Sequence, residues 1–385
     1  MVDTCVFQVI KRKMEPGHKV EFLDGSSSLS EPTALPPIEQ SVYLDTQSSV
    51  IFKPTEFNLA YRRLGSTVKK LYDEWWDKIS TSKKIAQYAD ELAAYRASLK
   101  PGDIALLGCL TEGGQGLATA NNGKYVAVRA NTKWADNIRK SPKKLEAVIT
   151  RYRIPIERLD GLSADDFLAT KSEAEIAALF DSLKEDYGRD IFGQGYLFKI
   201  VEEAEIADVD TLTDDEKENG IASDKPYYVP YDKGDKDGNR WYLETPFVIA
   251  WSKENVQFLK TDPKARYQGY AFFFREGFCW NNVITTYMKC KRKEKTVQST
   301  ESMSLFSMCE NVPEFYMICL MNSLFAALYV DSFINSTSHC TTGDAKLIPV
   351  VVPSEGQLKK FKSLFERAYE LKRSVAKQIA TDAEI

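Results

Sequence analysis

Residues 314 to 333, EFYMICLMNSLFAALYVDSF, read as one helix that is apolar almost all round. Such a segment must be covered, either by lipid or by the rest of a folded chain. A bilayer span is not expected, because no uninterrupted apolar run among the 385 residues approaches the ~20 that one requires. Hydrophobic residues make up 43% of the chain and charged residues 28%, which is the balance of a soluble globular protein long enough for two domains. The opening stretch MVDTCVFQVIKRKM is apolar only over Val6 to Ile10, with neither a secretory core nor a small-residue cleavage site, so a cytoplasmic location is expected. Cys5, Cys109, Cys279, Cys290, Cys309, Cys319 and Cys340 contain no CxxC pair; dispersed thiols suit a reducing compartment, and no structural metal is expected.

Residues 4 to 12 and Lys19 to Leu23 read as two strands of a hairpin around Glu15-Pro16-Gly17. Two strands alone are marginal in water, so this hairpin is expected to join a sheet that the chain itself does not supply. Ser26 to Gln40, with Pro32, Pro36 and Pro37, reads as a polar linker. Val68, Leu71, Tyr72, Trp75, Trp76 and Ile79 keep helical spacing, as do Ile85, Ala89, Leu92 and Leu99, before Pro101-Gly102 ends the pair. A strand (Ile104 to Cys109), a glycine-rich loop (Gly113 to Gly123) and a strand (Tyr125 to Arg129) follow, then a charged helical region over residues 134–188 whose clearest amphipathic piece is Ala174 to Leu183. Short aromatic strands recur at Tyr227 to Val229, Trp241 to Tyr242, Phe247 to Trp251 and Tyr270 to Phe274, and another strand is read at Leu347 to Val352. Ser354 with Gln357 forms a capping box for a last helix carrying Leu358, Phe361, Leu364, Phe365, Ala368, Leu371 and Val375. The pattern is α+β.

The net charge of −4 averages over opposed blocks. Glu202, Glu203, Glu205, Asp208, Asp210, Asp214, Asp215, Glu216, Glu218 and Asp224 stand against Lys217 alone, while Lys289, Lys291, Arg292, Lys293 and Lys295 stand against Glu294. Segregated charge can offer phosphate a basic face; two solvated loops are the plainer alternative.

The glycine loop fails the phosphate-binding templates. Ala118 stands where a P-loop needs its first glycine, Tyr125 follows Gly123-Lys124 where Ser or Thr is needed, and Thr119 replaces the last glycine of a dinucleotide motif. A structural turn, or a close backbone approach to a ligand, is left. The only Pro-Pro, Pro36-Pro37, lacks the polar and aromatic neighbours with which an adenine methyltransferase holds a flipped base, and Asp224-Lys225-Pro226-Tyr227 is a near miss. The chain by itself is therefore expected to be non-catalytic.

Five segments in order resemble the C-terminal target-recognition region of adenine-specific DNA methyltransferases of the Type IIG restriction and BREX phage-exclusion kind. They are the opening Val2-Asp3-Thr4-Cys5 with VFQVIKRK, GLATANNGKY (Gly116, Thr119, Asn122, Tyr125), YVPYDKGDKDGNRWY (Lys233, Gly234, Arg240, Trp241), FFFREGFCWNNV (Gly277, Trp280), and MNSLFAALYVDSFINSTSHCTTGDAKLIPVVVP. The resemblance implies a protein that clamps double-stranded DNA, reads base edges and presents an adenine to a methyltransferase domain. That domain, with its S-adenosylmethionine, would be supplied by a separate polypeptide, or the chain would come from a truncated or split gene; no cofactor is expected in this chain. It also implies a terminal hairpin of the methyltransferase sheet at 1–30, a linker and helical pair at 31–100, a recognition domain at 101–352 and a closing helix at 353–385.

On this reading Lys289, Lys291, Arg292, Lys293 and Lys295 contact phosphates or reach a base, as do Lys233, Lys236 and Arg240; solvated loops remain the alternative. Asn121, Asn122 and Lys124 could contact DNA, although asparagine also locks tight turns. Trp241, Trp251 and Trp280 are read as core, and Asn335, Thr337 and Asp344 as turn residues. The acidic 202–224 loop either faces away from DNA or docks another subunit. Two other classes stay open: a complete DNA methyltransferase with an unrecognised site, and a non-catalytic fragment or interaction scaffold.

Overall fold

The computed structural model describes residues 13–382 apart from 29, 62–63, 140, 189–190, 193–195, 236–237 and 285–287. It is mixed, 47% helical and 18% strand, and so α+β. Backbone contacts divide the chain into two units: Met1–Leu110 with Leu324–Val352, and Thr111–Ser323 with Pro353–Ile385.

In the first unit the strand Lys19–Asp24 pairs antiparallel with Thr33–Glu39, so half of the expected linker is strand. The register slips between Val20 and Phe22, so that Pro36 and Pro37 together face Glu21. Proline cannot donate to a ladder, and the bulge absorbs both at once. The chain thus supplies a partner for Lys19–Asp24, while the strand read at residues 4–12 lies outside the described residues. Beside this pair Ile38, Tyr43 and Phe52 close on Tyr329 and Phe333. The helical spacing read at 68–99 gives the helices Gly65–Ile79, Ser82–Gln87 and Ala89–Ser98, which bury Val68, Trp75, Ile79, Ile85 and Leu92 against Leu106 and Cys109. Ile104–Leu106 pairs antiparallel with Pro349–Val351.

In the second unit a five-stranded mixed sheet has the order Val297–Gln298, Tyr228–Asp232, Phe247–Ala250, Val126–Arg129, Ile200–Val201. A four-stranded antiparallel sheet has the order Cys290–Lys293, Gly277–Asn281, Ser302–Ser307, Thr111–Glu112. Trp251 and Trp280 are buried core residues, as read. A helical lobe comprises Pro142–Tyr152, Ala164–Thr170 and Glu173–Tyr187, the last opened by a Ser172/Glu175 capping box and burying Ile176, Leu179, Phe180 and Leu183. The last helix, Glu355–Asp382, begins at the expected box: Gln357 Oε1 accepts from the Ser354 amide at 2.8 Å. Phe361 lies edge-on to Tyr316, and Phe365 packs near Trp241.

Further expectations need correction. The apolar helix breaks after Met321, because the Asn322 side chain clasps Cys290, accepting from its amide at 2.9 Å and donating to its carbonyl at 2.7 Å. Tyr270 to Phe274 is a 3-10 turn rather than a strand, entered through Gly269 at φ 70° and left through Phe274 at φ 60°. The basic segment forms a strand, Cys290–Lys293, which removes the alternative of a solvated loop there. The acidic stretch is held by bases of its own unit: Glu203 pairs with Arg129, Asp210 with Lys295, Asp215 with Lys253 and Glu216 with Lys225. Among the described residues no single helix is long and apolar enough to cross a membrane.

Candidate functional site

The glycine loop is built from inside. A Cβ on Gly113 would come within 2.5 Å of the Ser304 carbonyl oxygen, and one on Gly116 within 2.2 Å of that of Gln298. Both glycines let the loop lie against the unit's own strands, as a structural turn requires. Leu117 donates its amide to Gln298 at 2.8 Å, and Ala118 exchanges backbone bonds with Arg266 at 3.1 and 2.9 Å. The Thr119 hydroxyl then donates to Asn122 Oδ1 at 2.7 Å and accepts from the Asn121 amide at 3.3 Å, locking the turn. The buried Tyr231 donates its phenol to the Leu117 carbonyl at 3.3 Å, and burial pushes that phenol's pKa up.

This loop forms one wall of a cleft of about 370 Å³ within the second unit. The helix Glu173–Tyr187 supplies the opposite wall through Ala177, Phe180, Asp181 and Lys184, and Tyr231 with Ser299 to Glu301 completes it. Five cations line it, Lys124, Lys184, Lys233, Lys264 and Arg266, against the two acids Asp181 and Glu301. Lys184 is 3.2 Å from Asp181 and donates to Asn121 Oδ1 at 3.0 Å, while Lys233 is 3.0 Å from Glu301. That leaves Lys124, Lys264 and Arg266, all exposed and, among the described residues, in no ion pair. The cleft therefore carries uncompensated positive charge and suits an anion.

Of the residues singled out in the sequence, Asn121, Asn122, Lys124 and Lys233 meet at this cleft, although Asn122 is committed to the turn. The 289–295 segment separates by strand alternation. Lys291 and Lys293 are 4% and 1% exposed, so neither ammonium reaches a surface where a phosphate could approach. Lys291 Nζ lies 3.6 Å from Asp232 Oδ1, and Asp232 Oδ2 accepts from Cys279 Sγ at 3.2 Å. Desolvation opposes the Asp232 carboxylate, but Lys291 and Cys279 outweigh it and hold the pKa low. Lys293 donates to the carbonyls of Arg275, Glu294 and Thr296 at 2.9, 3.1 and 3.1 Å. Desolvation pulls its pKa down to about 8. Both lysines are structural, and the phosphate role read for them is withdrawn. Arg292 pairs with Glu276 at 3.2 Å, Lys295 with Asp210, and Lys289 is half-buried with its side chain against Gly238. Arg240 is half-buried and has partners within the fold; Lys236 lies outside the described residues.

Lys184, Lys264 and Arg266 were missed. Lys184 sits on the helix whose apolar face was legible, but nothing in the spacing shows that its polar edge meets the glycine loop. Arg266 is brought in by the backbone exchange with Ala118, which no local pattern announces. Next to it, Trp251, Tyr267 and Tyr270 form a run of near-parallel rings, with centroids 6.4 and 6.0 Å apart and planes within 20° and 16°. Asn335 and Asp344 hold turns as read: Asn335 Oδ1 accepts from the Thr337 amide at 3.0 Å, and Asp344 closes a capping box with Thr341.

No protein-family model matches the chain, and a search of curated proteins returns no match.

Proposed function

We propose that this chain is the DNA-binding, target-recognition part of an adenine-specific DNA methylation system of the Type IIG restriction or BREX phage-exclusion kind. It works in the cytoplasm beside a methyltransferase domain that lies outside these residues. DNA recognition belongs to the unit Thr111–Ser323 with its C-terminal helix, and the helices at 65–98 form a linker towards the methyltransferase. In this reading S-adenosylmethionine is the partner's to hold; the loop glycines Gly113 and Gly116 pack on this chain's own backbone.

One observation carries the reading. The loop that resembles the family's G-x-x-T-x-x-N-x-x-aromatic segment walls a cleft lined by Lys124, Lys264 and Arg266, which make no ion pair among the described residues. Exposed cations without carboxylate partners can exchange water and counterions for phosphates at little cost. Asn121 and Lys184, bonded to each other at 3.0 Å, line the same cleft.

The test is a titration of duplex DNA across a range of salt. The full chain is expected to bind with a steep salt dependence. Replacing Lys124, Lys264 and Arg266 together by alanine is expected to lower the slope by about 0.9 per lost phosphate contact. An unchanged slope with unchanged affinity removes the cleft from the reading, and a chain that ignores duplex DNA altogether removes the reading itself.

A further inference from the structure

The ring run beside the cleft ends in the open. Trp251 is fully buried, Tyr267 half-buried, and Tyr270 is 65% exposed, with its inner face towards Tyr267. Tyr270 is held there by the chain before it. Gln268 Nε2 donates to Gln115 Oε1 at 3.2 Å, and Gly269, at φ 70°, lies so close to the Gln115 carbonyl oxygen that a Cβ would come within 2.4 Å of it. Segment 266–269 thus lies along the glycine loop, and Tyr270 stands immediately beyond it. Its neighbours in the chain are Lys264 and Arg266 of the cleft, which make no ion pair among the described residues. The other exposed aromatic nearby is different. Phe258, 48% exposed, already has Lys124 Nζ 4.2 Å above its ring.

We infer that Tyr270 is a stacking platform for an unpaired nucleobase, with Lys264 and Arg266 taking the phosphates beside that base. A flat ring beside a second near-parallel ring, on a backbone pinned at Gly269, has less conformational freedom to lose than a free side chain. Its outer face accepts any base, because every base has a π-face. This rests on the DNA reading above and deepens it. A system that extrudes an adenine from a duplex opens the helix there, and a platform beside a cationic cleft gives an unstacked base somewhere to go.

The experiment compares two DNA probes on the full chain by fluorescence anisotropy: a fully paired duplex, and the same duplex carrying one extrahelical 2-aminopurine. Tyr270→Ala is expected to weaken the bulged probe by about tenfold, the loss of one base–ring stack, and to leave the paired duplex within about twofold. Tyr270→Trp restores the bulged probe. The 2-aminopurine emission is quenched on binding to the parent and to Tyr270→Trp but not to Tyr270→Ala. Equal losses on both probes, or no loss on either, overturn the platform while duplex binding keeps the broader reading alive. Absence of binding to both probes by the parent overturns both together.

Discussion

Lys291 and Asp232 form a buried ion pair, Nζ to Oδ1 3.6 Å, with side chains 5% and 6% exposed, between a strand of the four-stranded sheet and one of the five-stranded sheet. Each charge is tolerated in the interior because the other is there.

Removing one member of that pair strands the other. Lys291→Met or Asp232→Asn alone is expected to cost about 3–5 kcal/mol in urea unfolding, and the double substitution less than the sum. The Asp232 carboxyl is held below its ordinary 3.8, so its contribution is present above that pH and is lost as acid drives the pH below it. Additive single and double losses would falsify the pair as a coupled unit.

Lys293 is expected to behave as a backbone clamp. Lys293→Met leaves the carbonyls of Arg275, Glu294 and Thr296 without their donor, at a cost of at least about 3 kcal/mol. Lys295→Ala, two residues on and on the surface, leaves the unfolding midpoint unchanged. If DNA affinity per folded molecule fell for Lys293→Met while its midpoint stayed put, the structural assignment would be wrong.

Lys346 sets a stability profile at alkaline pH. It is 3% exposed, its ammonium donates to the Ile79 carbonyl at 3.0 Å, and burial pulls its pKa from 10.5 to about 8. Between pH 8 and 10.5 the unfolded chain keeps a proton that the folded chain has released. Unfolding therefore takes up a proton, and this group makes stability rise with pH across that window. Lys346→Met lacks the rise; it sheds the cost of the buried charge but leaves the Ile79 carbonyl without its donor, so the slope against pH is the readout. Parallel pH profiles for the two proteins would sink the assignment.

Gly116→Ala drives a methyl group to 2.2 Å from the Gln298 carbonyl oxygen, backbone against backbone. It is expected to destabilise by about 1–3 kcal/mol or more and to expose the loop to protease. Gly123→Ala, whose Cβ would stand 3.0 Å from the Tyr196 carbonyl oxygen, is expected to be milder. The opposite order in a urea series would mean that the loop can move away from its strand.

Arg292 and Lys295 already face Glu276 and Asp210. Alanine at both is expected to leave the salt slope of DNA binding unchanged, whereas loss of Lys264 and Arg266 lowers it. The reverse pattern in a salt titration would return the basic segment to the DNA surface.

Local periodicity alone determined a good part of this protein. Val68, Trp75 and Ile79 announced a helix, Ser354 and Gln357 its capped successor, and the α+β class followed, because apolar spacing and capping act within a few residues of chain. What failed depended on distant partners. Lys291 and Lys293 read as surface charge until strand pairing with Gly277–Asn281 turned them inward. The apolar helix read as continuous until Asn322 found Cys290, 32 residues back in the chain. The cleft is assembled by long-range contacts such as Ala118 with Arg266 and Lys184 with Asn121, which no sequence window contains. Sequence fixes which residues want burial and where turns fall; which charges end up buried, paired or free is settled by what folding places opposite them.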